Sequence, residues 1–217
     1  MTASAAAEPG EATAEAPVAA RSARVPASSA WAVLIAGVVG LAASLTLTVE
    51  KIDILINPSY RPSCNLNPIL SCGSVMVRPQ ASVLGFPNPL LGIVAFTVVL
   101  VTGVLAVSKV ALPQWYWVGL LIGTLAGVGF VHWLIFQSLY RIGALCPYCM
   151  VVWVVTISLL VVVASIVFRP LLESGTSRVS AVGRVFYQWR WSFATLWFTA
   201  VFLLIMVRFW NYWSTLL

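Results

Sequence analysis

Apolar residues in this chain run in long unbroken stretches instead of recurring at a strand or surface-helix period. Five stretches stand out, at 30–49, 89–107, 115–136, 146–168 and 191–207. Each approaches the roughly 20 residues that a helix needs to cross a bilayer core. Helices satisfy their own backbone polar groups, so such runs predict an all-α integral membrane protein with five spans. In the first run, Gly37 and Gly40 stand with Ala36, Ala42, Ala43 and Ser44. Small residues of this kind predict close helix approach. Trp115, Tyr116 and Trp117 open the third run, and Trp210, Tyr212 and Trp213 follow the fifth, as interfacial aromatics do.

The intervening segments differ in kind. Residues 1–29 are rich in Ala, Ser, Pro and Glu, with Val18 and Val25 as the large apolar residues. They read as a disordered tail, because they bury too little to offset ordering entropy. They are not a secretory signal, since the apolar run starts late and continues too long. Residues 50–88 are polar and carry Pro58, Pro62, Pro68, Pro79 and Pro87, which predicts a loop and not a continuous helix. Residues 137–145 read as a brief connector, and 169–190 as a polar, basic loop.

Composition agrees with lipid as part of the solvent: of 217 residues, 61% are hydrophobic and 8% charged. Soluble domains carry about 25% charged residues. The net charge of +6 does not indicate nucleic acid, because the basic residues flank apolar runs and form no basic-aromatic platform. With the N-terminus inside, inner segments hold Arg21, Arg24, Lys109, Arg169, Arg178, Arg184 and Arg190. Outer segments hold Lys51, Arg61, Arg78, Arg141 and Arg208. The modest bias toward the first set predicts a cytoplasmic N-terminus. All four cysteines then fall outside, where disulfides persist.

Cys146-Pro147-Tyr148-Cys149 opens the fourth apolar run. Residues i and i+3 share a helix face, so the sulfurs can approach each other. Pro147 suits a first helical turn, where its missing N–H is no loss. The partial positive charge of a helix start stabilises a thiolate, the nucleophile of disulfide exchange. A bridge here closes too small a loop to staple the fold, which favours redox chemistry over a structural disulfide. Cys64 and Cys72 flank Asn-Leu-Asn-Pro-Ile-Leu-Ser, a turn-rich segment expected to be mobile and to shuttle between a partner and the second pair. A static staple and a four-cysteine zinc site are the alternatives. The wide spacing of Cys64 and Cys72 speaks against zinc, and no metal is expected.

Cys64-Asn-Leu-Asn-Pro-Ile-Leu-Ser-Cys72, Gly85-Phe-Pro-Asn-Pro-Leu-Leu-Gly92 and Leu145-Cys-Pro-Tyr-Cys149 together resemble the vitamin K epoxide reductase family, over residues 30–168. The likeness is to bacterial homologues without a fused thioredoxin-like domain. It implies a four-helix transmembrane bundle around a quinone (menaquinone or ubiquinone), plus a fifth transmembrane helix, in a bacterial plasma membrane. It implies that Cys64, Cys72, Cys146 and Cys149 are catalytic, with Cys149 facing the quinone, Cys146 exchanging with Cys72, and Cys64 outermost. It implies that a thioredoxin-like (DsbA-type) extracytoplasmic protein is the thiol partner. Asn88, Phe86, Trp153 and Cys149 are the expected quinone contacts.

Two positions depart from the family pattern. Arg78 stands where bacterial members often have Ser or Thr, and Trp153 where the vertebrate enzyme has Tyr, so epoxide reduction is not expected. A membrane scaffold or transporter subunit with structural disulfides is the competing reading. On residue chemistry alone, Asn88 is a helix cap, and His132 an interhelical hydrogen-bonding group before it is a proton carrier. Gln137 and Tyr140 are interfacial anchors. Phe86, Phe96, Phe130 and Phe136 are candidate ring neighbours.

Overall fold

A computed structural model describes residues 25–174, 184, 185 and 187–214. The long helices are α1 (Ala27–Ile56), α3 (Asn88–Val107), α4 (Gln114–Phe136), α5 (Pro147–Ser174) and α6 (Arg190–Arg208). Short helices α2 (Cys72–Met76) and α7 (Trp210–Trp213) complete the set, with a 3-10 turn at Pro79–Ala81. Five helices are long and apolar enough to cross a membrane. Among the described residues no strand forms. An isolated parallel bridge joins Leu70 to Leu145.

Element ends depart from the hydropathy reading in instructive ways. α1 continues through Glu50, Lys51 and Asp53 to Ile56, so the first part of the expected loop is helical. Charged residues end an apolar run but not a helix. The helix stops at Asn57, whose N–H bonds to the Asp53 carbonyl, because Pro58 follows. α5 likewise runs to Ser174, into the expected inner loop. The rest of that loop's centre, at 175–183, and most of the expected tail, at 1–24, lie outside the described residues. The connector after α4 is not irregular: Gln137–Ile142 continues it as a π-helix that ends at Gly143, with φ 70°. That left-handed conformation favours glycine and turns the chain out of the helix.

The bundle closes by close packing on α1. Gly37 and Gly103 are the contact points of α1 and α3: a Cβ at Gly37 would run into the Leu100 backbone, and one at Gly103 into the Leu34 backbone. Gly40 receives the Phe96 ring, and Gly92 receives Ser44. Lipid is as apolar as leucine, so this backbone proximity is what drives association. α5 packs on α1 on one side and on α4 on the other, whereas α3 and α4 barely touch. A 2.6 Å hydrogen bond between Thr102 and Tyr116 ties the C-terminal part of α3 to the start of α4. A core of Val33, Val99, Trp117, Val162 and Val163 fills that half of the bundle. The outer surface is studded with Trp31, Val94, Leu196, Phe202 and Val207, as expected of a lipid-facing wall.

Candidate functional site

The four cysteines meet at one end of the bundle. Cys146 immediately precedes α5, and its carbonyl accepts from Met150 N–H at 3.0 Å. Its sulfur accepts from Cys149 N–H at 3.4 Å, as an N-cap side chain does. The thiol therefore sits on free helical N–H groups and the positive end of the dipole. A hydrogen bond from the Cys149 thiol, first, and backbone N–H groups of Cys149 and Tyr148 hold Cys146 below the ordinary cysteine range, against burial and Glu50. Cys146 and Cys149 are free thiols.

Cys64 and Cys72 form a disulfide, with Cα atoms 5.6 Å apart. Cys72 Sγ lies 3.0 Å from Cys146 Sγ, and Cys64, Cys72 and Cys146 are all buried. Asn67 Oδ1 accepts from the N–H groups of Ile69 and Leu70 at 3.0 and 2.7 Å. Asn65 Oδ1 accepts from Gly73 N–H and the Ser71 hydroxyl, both at 3.0 Å. Ser71 caps α2 by accepting from Ser74 N–H. The asparagines fold the segment back on itself, as Asx turns do. The loop then docks on the bundle: Leu145 N–H donates to Ile69 O at 2.7 Å, and Ser71 N–H to Leu145 O at 2.9 Å. Buried Glu50 anchors the other flank, its Oε1 accepting from Ser63 N–H and hydroxyl at 3.2 and 2.6 Å. Lys51 Nζ reaches Met76 O, the last carbonyl of α2, at 2.5 Å.

Below the cysteines a cavity of about 780 Å³ opens between α3 and α4, walled by α1 and α5. Cys149 and Trp153 line it, as do Asn88, Phe96 and Phe130. Its walls are largely apolar, and three buried polar atoms of its lining residues have no partner: Trp153 Nε1, Gln137 Oε1 and Gln80 Oε1. An apolar space with a few unpaired polar groups is the usual form of a small-molecule site. Those three orphaned atoms make the residues present a fit for a quinone headgroup, which offers carbonyl acceptors and, once reduced, hydroxyl donors.

Several expectations change. Phe86 does not line the cavity; it stands partly exposed on the turn after Gly85, whose φ of 83° directs the chain away. Phe136 is also elsewhere, against Tyr140 at 5.3 Å. Asn88 is at the cavity, but its amide is employed: Nδ2 donates to Gln80 O at 2.7 Å and Oδ1 accepts from Val83 N–H at 3.0 Å. Gln137, read as an interfacial anchor, lines the cavity at the first position of the π-helix. His132 makes the interhelical bond expected of it, accepting at Nε2 from Trp197 Nε1–H at 2.9 Å. Arg78 and Arg141 are exposed. Glu50 and Lys51 were not foreseen as site residues; their only signal was two charges directly after an apolar run.

Comparison with known proteins places this arrangement. No individual curated protein matches the chain. The family model described as the vitamin K epoxide reductase family matches residues 31–164, which holds α1 to most of α5 and every cysteine. The chain belongs to the vitamin K epoxide reductase family, whose members are membrane oxidoreductases coupling thiol–disulfide chemistry to quinones.

Proposed function

We propose that this protein oxidises the dithiol of an extracytoplasmic thioredoxin-like protein and delivers the electrons to a quinone through its two cysteine pairs. The carrying observation is the 3.0 Å separation of Cys72 and Cys146 sulfurs, one in a disulfide and the other a helix-capping thiol. One partner thiolate attacks the Cys64–Cys72 bridge and the second resolves the mixed disulfide, leaving the partner oxidised and both loop cysteines reduced. Both loop sulfurs are buried, so this step requires the loop to lift from Leu145. The Cys72 thiolate then attacks Cys146 of an oxidised Cys146–Cys149 pair. The Cys72–Cys146 bond forms, and Cys149 leaves as a thiolate into the cavity. Cys64 attacks Cys72, re-forming the loop bridge and releasing Cys146. Two electrons have now moved from loop to helix, and the pairing in the structure matches the end of this exchange.

A quinone, when bound, accepts two electrons and two protons. Trp153 and Gln137 would hold its polar edge, Phe130 and Val98 its ring and chain. Asn88 contributes chiefly by fixing the 80–88 loop over the cavity, with one Nδ2 hydrogen left for a ligand. The charge bias and the grouped cysteines support an N-terminus in the cytoplasm of a bacterium and the site at the outer face of its plasma membrane. The test is turnover in lipid with a reduced thioredoxin-like dithiol and either menaquinone or ubiquinone. Cys149→Ala should abolish quinone reduction, and a variant that kept the parent rate would overturn the reading. A scaffold with structural disulfides would show no turnover at all, and its bridges would resist mild reducing poise.

A further inference from the structure

Helix α6 lies outside the segment that matches the family, and it buries little of its own surface. Its main helix contact is with α5. Two polar bonds nevertheless fix its position, both to α4 and its π-helical extension. Trp197 Nε1–H donates to His132, and Arg208 Nε donates to the Leu139 carbonyl at 3.0 Å. Leu139 is fully buried and is one of the last four residues of the π-helix. Carbonyls there lack helical partners and form the negative end of the dipole, so a guanidinium is a favourable cap. Around this bond, Ile205 of α6 and Phe209 just after it pack in one buried cluster with Leu139, Leu145, Trp153 and Ile69.

That cluster includes Ile69 of the cysteine loop and Leu145 beside Cys146, and Cys149 packs against it. Four residues after the π-helix begins its exit at Ile142 stands Cys146, and between them Leu145 makes the two backbone bonds that dock the cysteine loop. We propose that Arg208 is a positioning residue: by capping the π-helix at Leu139 it fixes Leu145, and through Leu145 the docking of Ile69–Ser71 that places Cys72 against Cys146. This rests on the relay reading above. It assigns α6 a part in the chemistry of this chain, as a brace on the cysteine-bearing end.

The test uses the full chain in lipid with Cys64→Ser and Cys149→Ser, leaving Cys72 and Cys146 as the only thiols. The rate at which diamide bridges them is read by maleimide mass shift. Arg208→Met keeps the aliphatic stem and removes the donor; it should slow bridging by about fivefold, the worth of one lost hydrogen bond. Arg208→Lys retains a donor and should stay within about twofold of the parent. Parent-rate bridging in Arg208→Met, or equal slowing in Arg208→Lys, overturns the proposal. If Arg208→Met does not accumulate, Ile205→Ala is read in the same assay: it must slow bridging too, and parent-rate bridging there overturns the brace. The assay needs no quinone, so loss of turnover leaves its result standing. Failure of the parent thiols to bridge at all would overturn the relay and the brace together.

Discussion

Cys72 Sγ stands 3.0 Å from Cys146 Sγ while covalently bound to Cys64, so one sulfur from each cysteine pair is already at exchange distance. The chain places them there with backbone hydrogen bonds and not with flexibility. A consequence is that removing Cys64 should trap the exchange midway. In Cys64→Ser the Cys72–Cys146 bond lacks the loop thiol that releases Cys146. Mass-spectrometric disulfide mapping after mild oxidation of the reduced protein should find that bond as a major species. Exclusive recovery of Cys146–Cys149 would show that the two pairs do not communicate.

The acidity of Cys146 sets a pH dependence. The thiolate is the reacting form, and a lowered pKa keeps it populated to lower pH. Alkylation of Cys146 in Cys64→Ser/Cys72→Ser protein should therefore persist below the pH at which an ordinary cysteine, near 8.5, goes silent, and fall away only on further acidification. The largest cause is the hydrogen bond with the Cys149 thiol. Cys149→Ala should move the alkylation profile to higher pH, read by iodoacetamide and peptide mass mapping. An unmoved profile would leave the helix start as the sole cause.

Trp153 and Asn88 were expected to do the same work, and the structure separates them. Trp153 Nε1 is buried without a partner, while both polar ends of Asn88 hold the 80–88 loop. Trp153→Phe keeps most of the packing and removes the donor. It should raise the KM for quinone about tenfold, with thermal stability little changed. Asn88→Ala should instead lower stability by about 1 kcal/mol, because the Val83 N–H and the Gln80 carbonyl lose their protein partner. Steady-state kinetics beside thermal unfolding in detergent distinguishes the two. The reverse assignment of effects would mean that Asn88 is the principal quinone contact.

The five spans and a close helix approach at α1 were legible because they depend on composition and on small residues at fixed spacing, as at Gly37 and Gly40, but nothing in that spacing named α3 as the partner. The meeting of four cysteines at one end followed from topology. What was not legible depends on backbone geometry that leaves no mark on hydropathy. The π-helix at Gln137–Ile142 carries Gln137 at the cavity and a Leu139 carbonyl that accepts from Arg208, yet its residues read as a plain connector. Asn65 and Asn67 carry turn chemistry correctly, but turn propensity alone does not say whether a turn is docked. Phe86 was chosen for its ring and its place in a motif, and a single left-handed glycine before it takes the ring elsewhere.

Glycines provide the sharpest separation between fold and site. Gly37 meets the Leu100 backbone, and backbone cannot move aside for a side chain. Gly37→Leu should push α1 from α3 and cost about 1–3 kcal/mol or more, seen as loss of folded protein in detergent. Gly123 lies on the cavity wall with nothing within 4 Å of where a Cβ would stand. Gly123→Leu should fold normally, since helix propensity favours leucine over glycine. Its side chain would occupy part of the space assigned to quinone, so turnover should drop sharply while the Cys72–Cys146 exchange proceeds at the parent rate. Normal turnover in stably folded Gly123→Leu would place the quinone somewhere other than this cavity, even with all four cysteines correctly assigned.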